Sequence, residues 1–121
     1  MANNYQRGEK DTRPWGTWEV IDCGENFCVK KIMVISGGIL SLQLHHFRAE
    51  HWIIVKGQAV INLEEQILEK KAGESVYIPE ETKHRIQNQT AEPMEFIEIQ
   101  VGENLDENDI VRFEDKYGRV K

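Results

Sequence analysis

Gln43 and His45 stand two residues apart in Leu40-Ser41-Leu42-Gln43-Leu44-His45-His46. The three leucines alternate with Ser41, Gln43 and His45, so an extended chain points Gln43 and His45 to one polar face. A polar face turned into a closed interior costs free energy unless something satisfies it, and a metal ion would. Glu50 follows His45 by five residues. A turn at Arg48-Ala49 would return it beside His45 at the start of the next strand. His84 comes after a turn at Pro79-Glu80-Glu81-Thr82-Lys83 and opens another extended segment. Two imidazoles, one carboxylate and one amide oxygen suit Zn, Fe, Mn or Ni rather than Ca or Mg. For a single histidine an ordinary surface or core role is the simpler reading. His46 and His51 have the wrong parity to join His45 and Glu50.

The elements that must position these residues read as short strands. Thr17 to Asp22, Phe27 to Val34, Leu40 to His46, Trp52 to Lys56, Gln58 to Leu63, Gln66 to Glu69, Ser75 to Ile78, His84 to Gln87 and Met94 to Val101 carry β-branched or alternating patterns. Gly, Pro and Asn punctuate them every 8–12 residues or so, the spacing of a sandwich or barrel. No stretch up to Val101 has a 3.6-residue apolar period. Residues 1–12 are polar and read as a flexible N-terminal arm, with one domain over residues 13–121. The segment from Glu103 to Lys121 is acidic and then mixed, suited to a short helix or an extended arm over the barrel.

The 121 residues are enough for one domain with a real core, and 40% apolar with 30% charged residues is ordinary for a soluble globular chain. The net charge of −6 argues against nucleic-acid binding, and an anionic ligand would need a local Arg/Lys cluster. The amino-terminal residues lack the apolar core of a signal peptide, and no apolar run reaches membrane-helix length. A cytoplasmic location is expected. Cys23 and Cys28 flank Gly24-Glu25-Asn26, a turn that would set them facing across a hairpin as two reduced thiols.

Two longer patterns carry a resemblance. Gly37, Gln43-Leu44-His45, Glu50 and Gly57 resemble the first cupin motif, with Gln in place of its first His. Gly73, Pro79, Thr82-Lys83-His84 and Asn88 resemble the second, with Glu81 where cupins usually carry Gly. Arg13-Pro14-Trp15-Gly16, Arg48-Ala49-Glu50-His51-Trp52, Tyr77-Ile78-Pro79 and the closing Asp109-Ile110-Val111-Arg112-Phe113-Glu114-Asp115 with Tyr117-Gly118-Arg119 narrow it further. They resemble the type II mannose-6-phosphate isomerase domain, usually the C-terminal part of a protein that also makes GDP-mannose. The resemblance runs from Arg13 to Arg119. Phe47 departs from it, standing where the family often has a third consecutive His and, by parity, on the side of His45. No Gly-rich nucleotide loop precedes a helix, so nucleotide transfer is not carried over.

The resemblance implies an all-β cupin-type double-stranded β-helix (a jelly-roll barrel), usually dimeric, and a role in carbohydrate metabolism. It implies metal ligands Gln43, His45, Glu50 and His84, with zinc expected first and Co, Mn, Ni or Fe as alternatives. It implies interconversion of mannose 6-phosphate and fructose 6-phosphate, which moves a proton between C1 and C2 through an enediol. A base is needed. Glu98 shares its strand face with Phe96 and Gln100: inward it would be that base, outward a solvated carboxylate. Arg48, Lys83, Arg85, Arg112 and Arg119 are the candidate phosphate cations, and Arg48 and Lys83 stand nearest in sequence to ligands. Trp15, Trp18 and Trp52 read as core or interface. Another cupin enzyme, such as an Fe-dependent oxygenase, and a sugar-phosphate-binding cupin without turnover are the competing classes.

Overall fold

The structure, a computed structural model, describes residues 2–3, 5–106 and 108–118. Thirteen strands and no helix occur among them: β1 (Ala2–Asn3), β2 (Lys10–Arg13), β3 (Gly16–Cys23), β4 (Phe27–Val34), β5 (Leu42–Leu44), β6 (Arg48–Lys56), β7 (Gln58–Leu63), β8 (Gln66–Lys71), β9 (Ser75–Ile78), β10 (His84–Gln87), β11 (Met94–Gly102), β12 (Asn104–Leu105) and β13 (Val111–Glu114). A six-stranded sheet runs β2-β3-β4-β11-β6-β9 and a five-stranded sheet β13-β5-β10-β7-β8, with β1 and β12 as a small parallel pair. Consecutive strands β5 and β6 belong to different sheets, so the chain crosses from one wall to the other between His45 and Arg48.

Alternation sets the interior. In β6, Arg48, Glu50, Trp52 and Ile54 are buried while His51, Ile53 and Val55 are exposed. In β11, Met94, Phe96, Glu98 and Gln100 are buried. The register places Phe96 between Ile32 and Ile54, and Glu98 between Lys30 and Trp52. One end of the barrel is therefore filled by Val34, Met94, Ile32, Phe96 and Ile54, all buried in one core. The other end faces inward with polar groups. Trp15, Trp18 and Trp52 are buried, as expected of core residues.

Several expectations change. Arg48 and Ala49 are not the turn; the bend is His46–Phe47, and β6 begins at Arg48 rather than Trp52. Phe47 is therefore 54% exposed and does not share a side with His45, because strand parity ends at Leu44. The segment read as Leu40 to His46 shortens to Leu42–Leu44, and Leu40 lies on the wall of the barrel cavity. Within residues 1–12, positions 10–12 pair with β3 as part of β2, and Tyr5 is buried edge-on against Trp18. The C-terminal segment takes its extended form as β13, paired with β5. Cys23 and Cys28 are direct cross-strand partners and both are free thiols. Burial raises the Cys28 pKa to about 12.

The bend at His46–Phe47 is held from two sides. The Asp109 carboxylate accepts hydrogen bonds from the backbone N–H of His46 (2.9 Å) and of Phe47 (3.0 Å). Opposite it, a Cβ on Gly102 would collide with the Phe47 carbonyl oxygen, so only glycine lets β11 approach. Glu81, in the position where the motif usually has Gly, adopts φ +59°. Its N–H donates to the His45 carbonyl at 2.7 Å, tying the turn before His84 to the end of β5.

Candidate metal centre and its cavity

Three buried side chains converge at the polar end of the barrel. His45, Glu50 and His84 each offer a ligand atom, all within 4.8 Å of one another. They come from the end of β5, from β6 and from the first residue of β10. The two imidazole rings are 5.1 Å apart, and Trp52 packs edge-on against His84 at 5.4 Å.

The ring nitrogens are preset. His45 Nδ1 lies 2.6 Å from the Asp109 carbonyl and His84 Nδ1 lies 2.8 Å from the Thr82 carbonyl. A carbonyl only accepts, so each Nδ1 carries the proton and each Nε2 presents its lone pair to the cluster. Backbone carbonyls behind ligand histidines are what orients them in metal sites. Gln43 is directly opposite His84 in the β5–β10 register. Its amide nitrogen donates to Ser41 Oγ at 3.0 Å, leaving the amide oxygen as the end it can offer. These donors fit a tetrahedral or higher-coordinate divalent ion of the zinc or iron type.

The electrostatics favour that ion. Burial pushes the His45 pKa down to about 4 against the opposing pull of Glu50, and burial also lowers His84. Both rings are therefore neutral near pH 7, the form that binds metal. Burial works against a charged Glu50, but Arg48, His45 and His84 outweigh it and hold the carboxyl below its usual range. Glu50 Oε1 accepts from Trp52 Nε1 at 2.8 Å and Oε2 accepts from Arg48 Nε at 2.8 Å. Glu98 behaves oppositely. Burial and the neighbouring Glu50 raise its pKa to about 7, and it is hydrogen-bonded to Glu50 and to Gln100, whose amide donates at 2.7 Å.

The His45–Glu50–His84 cluster and Glu98 border one cavity of about 710 Å³. Gln43, His45, Arg48, Glu50, His84, Arg85, Glu98 and Arg112 are on its wall. Glu98 thus points inward, the alternative that suits a base. Lys83 does not reach the cavity: it is exposed, with Nζ 4.4 Å from the centre of the Phe113 ring. Arg119 lies outside the described residues. Arg85 donates to the Leu40 carbonyl and pairs with Glu114.

Three residues at the site are not among the site candidates named from the sequence, although Arg13 and Asp109 open two of the stretches that carry the resemblance. Arg13 and Lys30 also line the cavity, and the Lys30 ammonium sits 4.0 Å from the Tyr5 ring centre and 4.4 Å from that of Trp18. Asp109 orients His45 across 64 residues of sequence. The alternation of β4 points Lys30 inward with Ile32 and Val34; Asp109 opens the closing stretch of the resemblance, but spacing alone does not bring it to His45.

Comparison with known proteins agrees with this geometry. Residues 2–115 match the family model for the mannose-6-phosphate isomerase C-terminal domain. The chain is 51% identical over 108 residues to the xanthan biosynthesis protein XanB of Xanthomonas campestris, covering 89% of this chain and 23% of that protein. It is 45% identical over 108 residues to the mannose-1-phosphate guanylyltransferase ManC of Salmonella typhimurium, covering 89% of this chain and 22% of that one. The chain thus spans less than a quarter of the length of these relatives. Among solved structures, a Klebsiella pneumoniae protein with a double-stranded β-helix domain superposes with a TM-score of 0.74 at 16% identity, over 86% of this chain and 89% of that one. Bacillus subtilis oxalate decarboxylase OxdC gives 0.74 at 19% identity, over 87% and 30%. These likenesses establish the cupin fold.

Proposed function

The chain belongs to the mannose-6-phosphate isomerase C-terminal family, and on that premise we propose that its cavity interconverts mannose 6-phosphate and fructose 6-phosphate with the help of one divalent ion. The observation that carries the reading is the sharing of one cavity by the His45–Glu50–His84 cluster and by Glu98, whose pKa near 7 suits a base. In its ionised form Glu98 takes the C2 proton of the aldose and returns it to C1, while the O2 hydroxyl proton passes to O1. Gln43, His45, Glu50 and His84 would hold the ion, with zinc first and Co, Mn, Ni or Fe as alternatives. Such an ion would polarise the C1 and C2 oxygens and stabilise the enediolate charge by several kcal/mol. Arg112, on the cavity wall, takes the phosphate, with Arg13 and Lys30 adding positive potential, while the Arg85 guanidinium is held by the Leu40 carbonyl and Glu114. This moves the phosphate role away from Lys83, whose side chain is elsewhere. A cytoplasmic location and a homodimer belong to the same proposal; sedimentation of the purified chain tests the second.

The direct test is a coupled assay for fructose 6-phosphate formed from mannose 6-phosphate. Metal-stripped protein is reloaded in turn with Zn, Co, Mn and Ni, with His45→Ala as the control. Metal-dependent turnover that falls to background in the variant is the expected result. Retained metal binding without turnover under any ion would sink the isomerase and leave a cupin that binds a sugar phosphate.

A further inference from the structure

Arg48 is buried at the centre of the ligand cluster, and its contacts are unusual for a residue that would only steady a carboxylate. Its Nε donates to Glu50 Oε2 at 2.8 Å and its Nη2 lies 3.2 Å from His45 Nε2. One guanidinium therefore spans two of the three metal-donor atoms. Its remaining nitrogen, Nη1, is buried without a hydrogen-bond partner. We infer that Arg48 is a tethered cation that competes with the divalent ion for His45, so that metal binding and the Arg48–His45 contact exclude each other. The inference rests on the metal site proposed above and adds a regulating residue to it.

The exclusion follows from counting lone pairs. His45 Nδ1 is committed to the Asp109 carbonyl and carries the ring proton. Nε2 then has the ring's single accepting lone pair. That pair can receive Arg48 Nη2–H or bind a metal, not both. Glu50 Oε2 is different: a carboxylate oxygen has two lone pairs and can serve Arg48 Nε and an ion together. The conflict is confined to one contact, which a turn of the guanidinium releases while Nε stays on Glu50. Releasing it costs less than usual, because the guanidinium is incompletely satisfied where it is. A fixed positive charge beside the donors also opposes a second cation by Coulomb's law.

Two roles for Arg48 predict opposite signs. A residue that merely orients Glu50 supports the metal, and its loss weakens binding by roughly 10–100-fold. A competitor weakens the metal, and its loss tightens binding. Zinc affinity of stripped protein, measured by competition with a chromophoric chelator, should therefore rise about tenfold in Arg48→Met, the size expected for one lost hydrogen bond to a charged group. Arg48→Lys, which keeps the charge but not the fork, should fall between the two. An unchanged or weaker affinity in Arg48→Met would overturn the inference and leave the metal site standing. Failure of wild type to bind zinc would instead remove the site itself. Should Arg48→Met not fold, the wild type decides. Zinc titration followed by nuclear magnetic resonance of the arginine side chains should release the Arg48 Nη protons from slow exchange, and protons that stay protected would refute the competition.

Discussion

The same three strands build both ends of the barrel, and the two ends are chemically opposite. Along β4, β6 and β11 the inward rows read Val34 with Met94, then Ile32, Phe96 and Ile54, then Lys30, Glu98 and Trp52, then Cys28, Gln100 and Glu50. Burial does not separate them: Phe96 is 0% exposed and Glu50 1%. Partners do. At the apolar end burial itself is the driving force, and each residue needs only close neighbours. At the polar end every buried group needs a named counterpart, which Glu50 finds in Arg48, Trp52 and Glu98. The apolar rows hold the register in which the polar rows meet, since a one-residue slip would turn both sets outward.

The sharpest way to divide the two ends is Phe96→Ala. It removes the ring that packs at 5.3 Å against Trp52 from a fully buried position. It should cost about 3–5 kcal/mol by urea denaturation, while the folded fraction binds zinc with unchanged stoichiometry. Loss of zinc sites in the folded fraction would show that the two ends are not separable.

The second test uses pH on stripped protein. His45, with its pKa lowered to about 4 from 6.5, contributes stability above pH 6.5 that is lost as pH falls towards 4. His84 acts in the same direction. Glu98, raised to about 7 from 4.5, contributes stability below pH 4.5 that is lost as pH rises towards 7. Between pH 6.5 and 4.5 the two effects oppose each other and wild type should lose stability only gently. Glu98→Gln removes the opposing term, so its stability should fall more steeply on acidification, by on the order of 1 kcal/mol per pH unit. Equal slopes in the two proteins would mean that Glu98 is already ionised in the folded state.

The smallest effect lies outside both ends. Glu81 holds φ +59°, a conformation that disfavours any side chain. Glu81→Gly should raise the denaturation midpoint by an amount worth up to about 1 kcal/mol, since the exposed His46–Glu81 contact at 3.7 Å is worth little. A fall in stability would show that the Glu81 side chain matters more than its backbone.

Much of the fold was legible because period-2 alternation is a local property. Phe27–Val34, Gln58–Leu63, Ser75–Ile78 and His84–Gln87 have the bounds read from sequence. That His45, Glu50 and His84 share the interior was legible for the same reason, helped by motif spacing. Arg48 was misread as a turn because a two-residue bend leaves no compositional mark when it is built from His46 and Phe47. Residues 10–12 of β2 looked like a loose arm because they are polar; an edge strand needs no apolar face to pair.

By itself the sequence determined which side chains face inward along each strand, and with them the donor types available to a metal. That information is carried by backbone geometry and needs no distant residue. The tertiary structure alone decided which inward groups meet. Asp109 on His45 Nδ1, Arg48 on His45 Nε2, and Glu98 against Glu50 are contacts between strands or across a bend. Their effects on protonation come from burial and from neighbouring charge, which exist only once the two sheets close around the cavity.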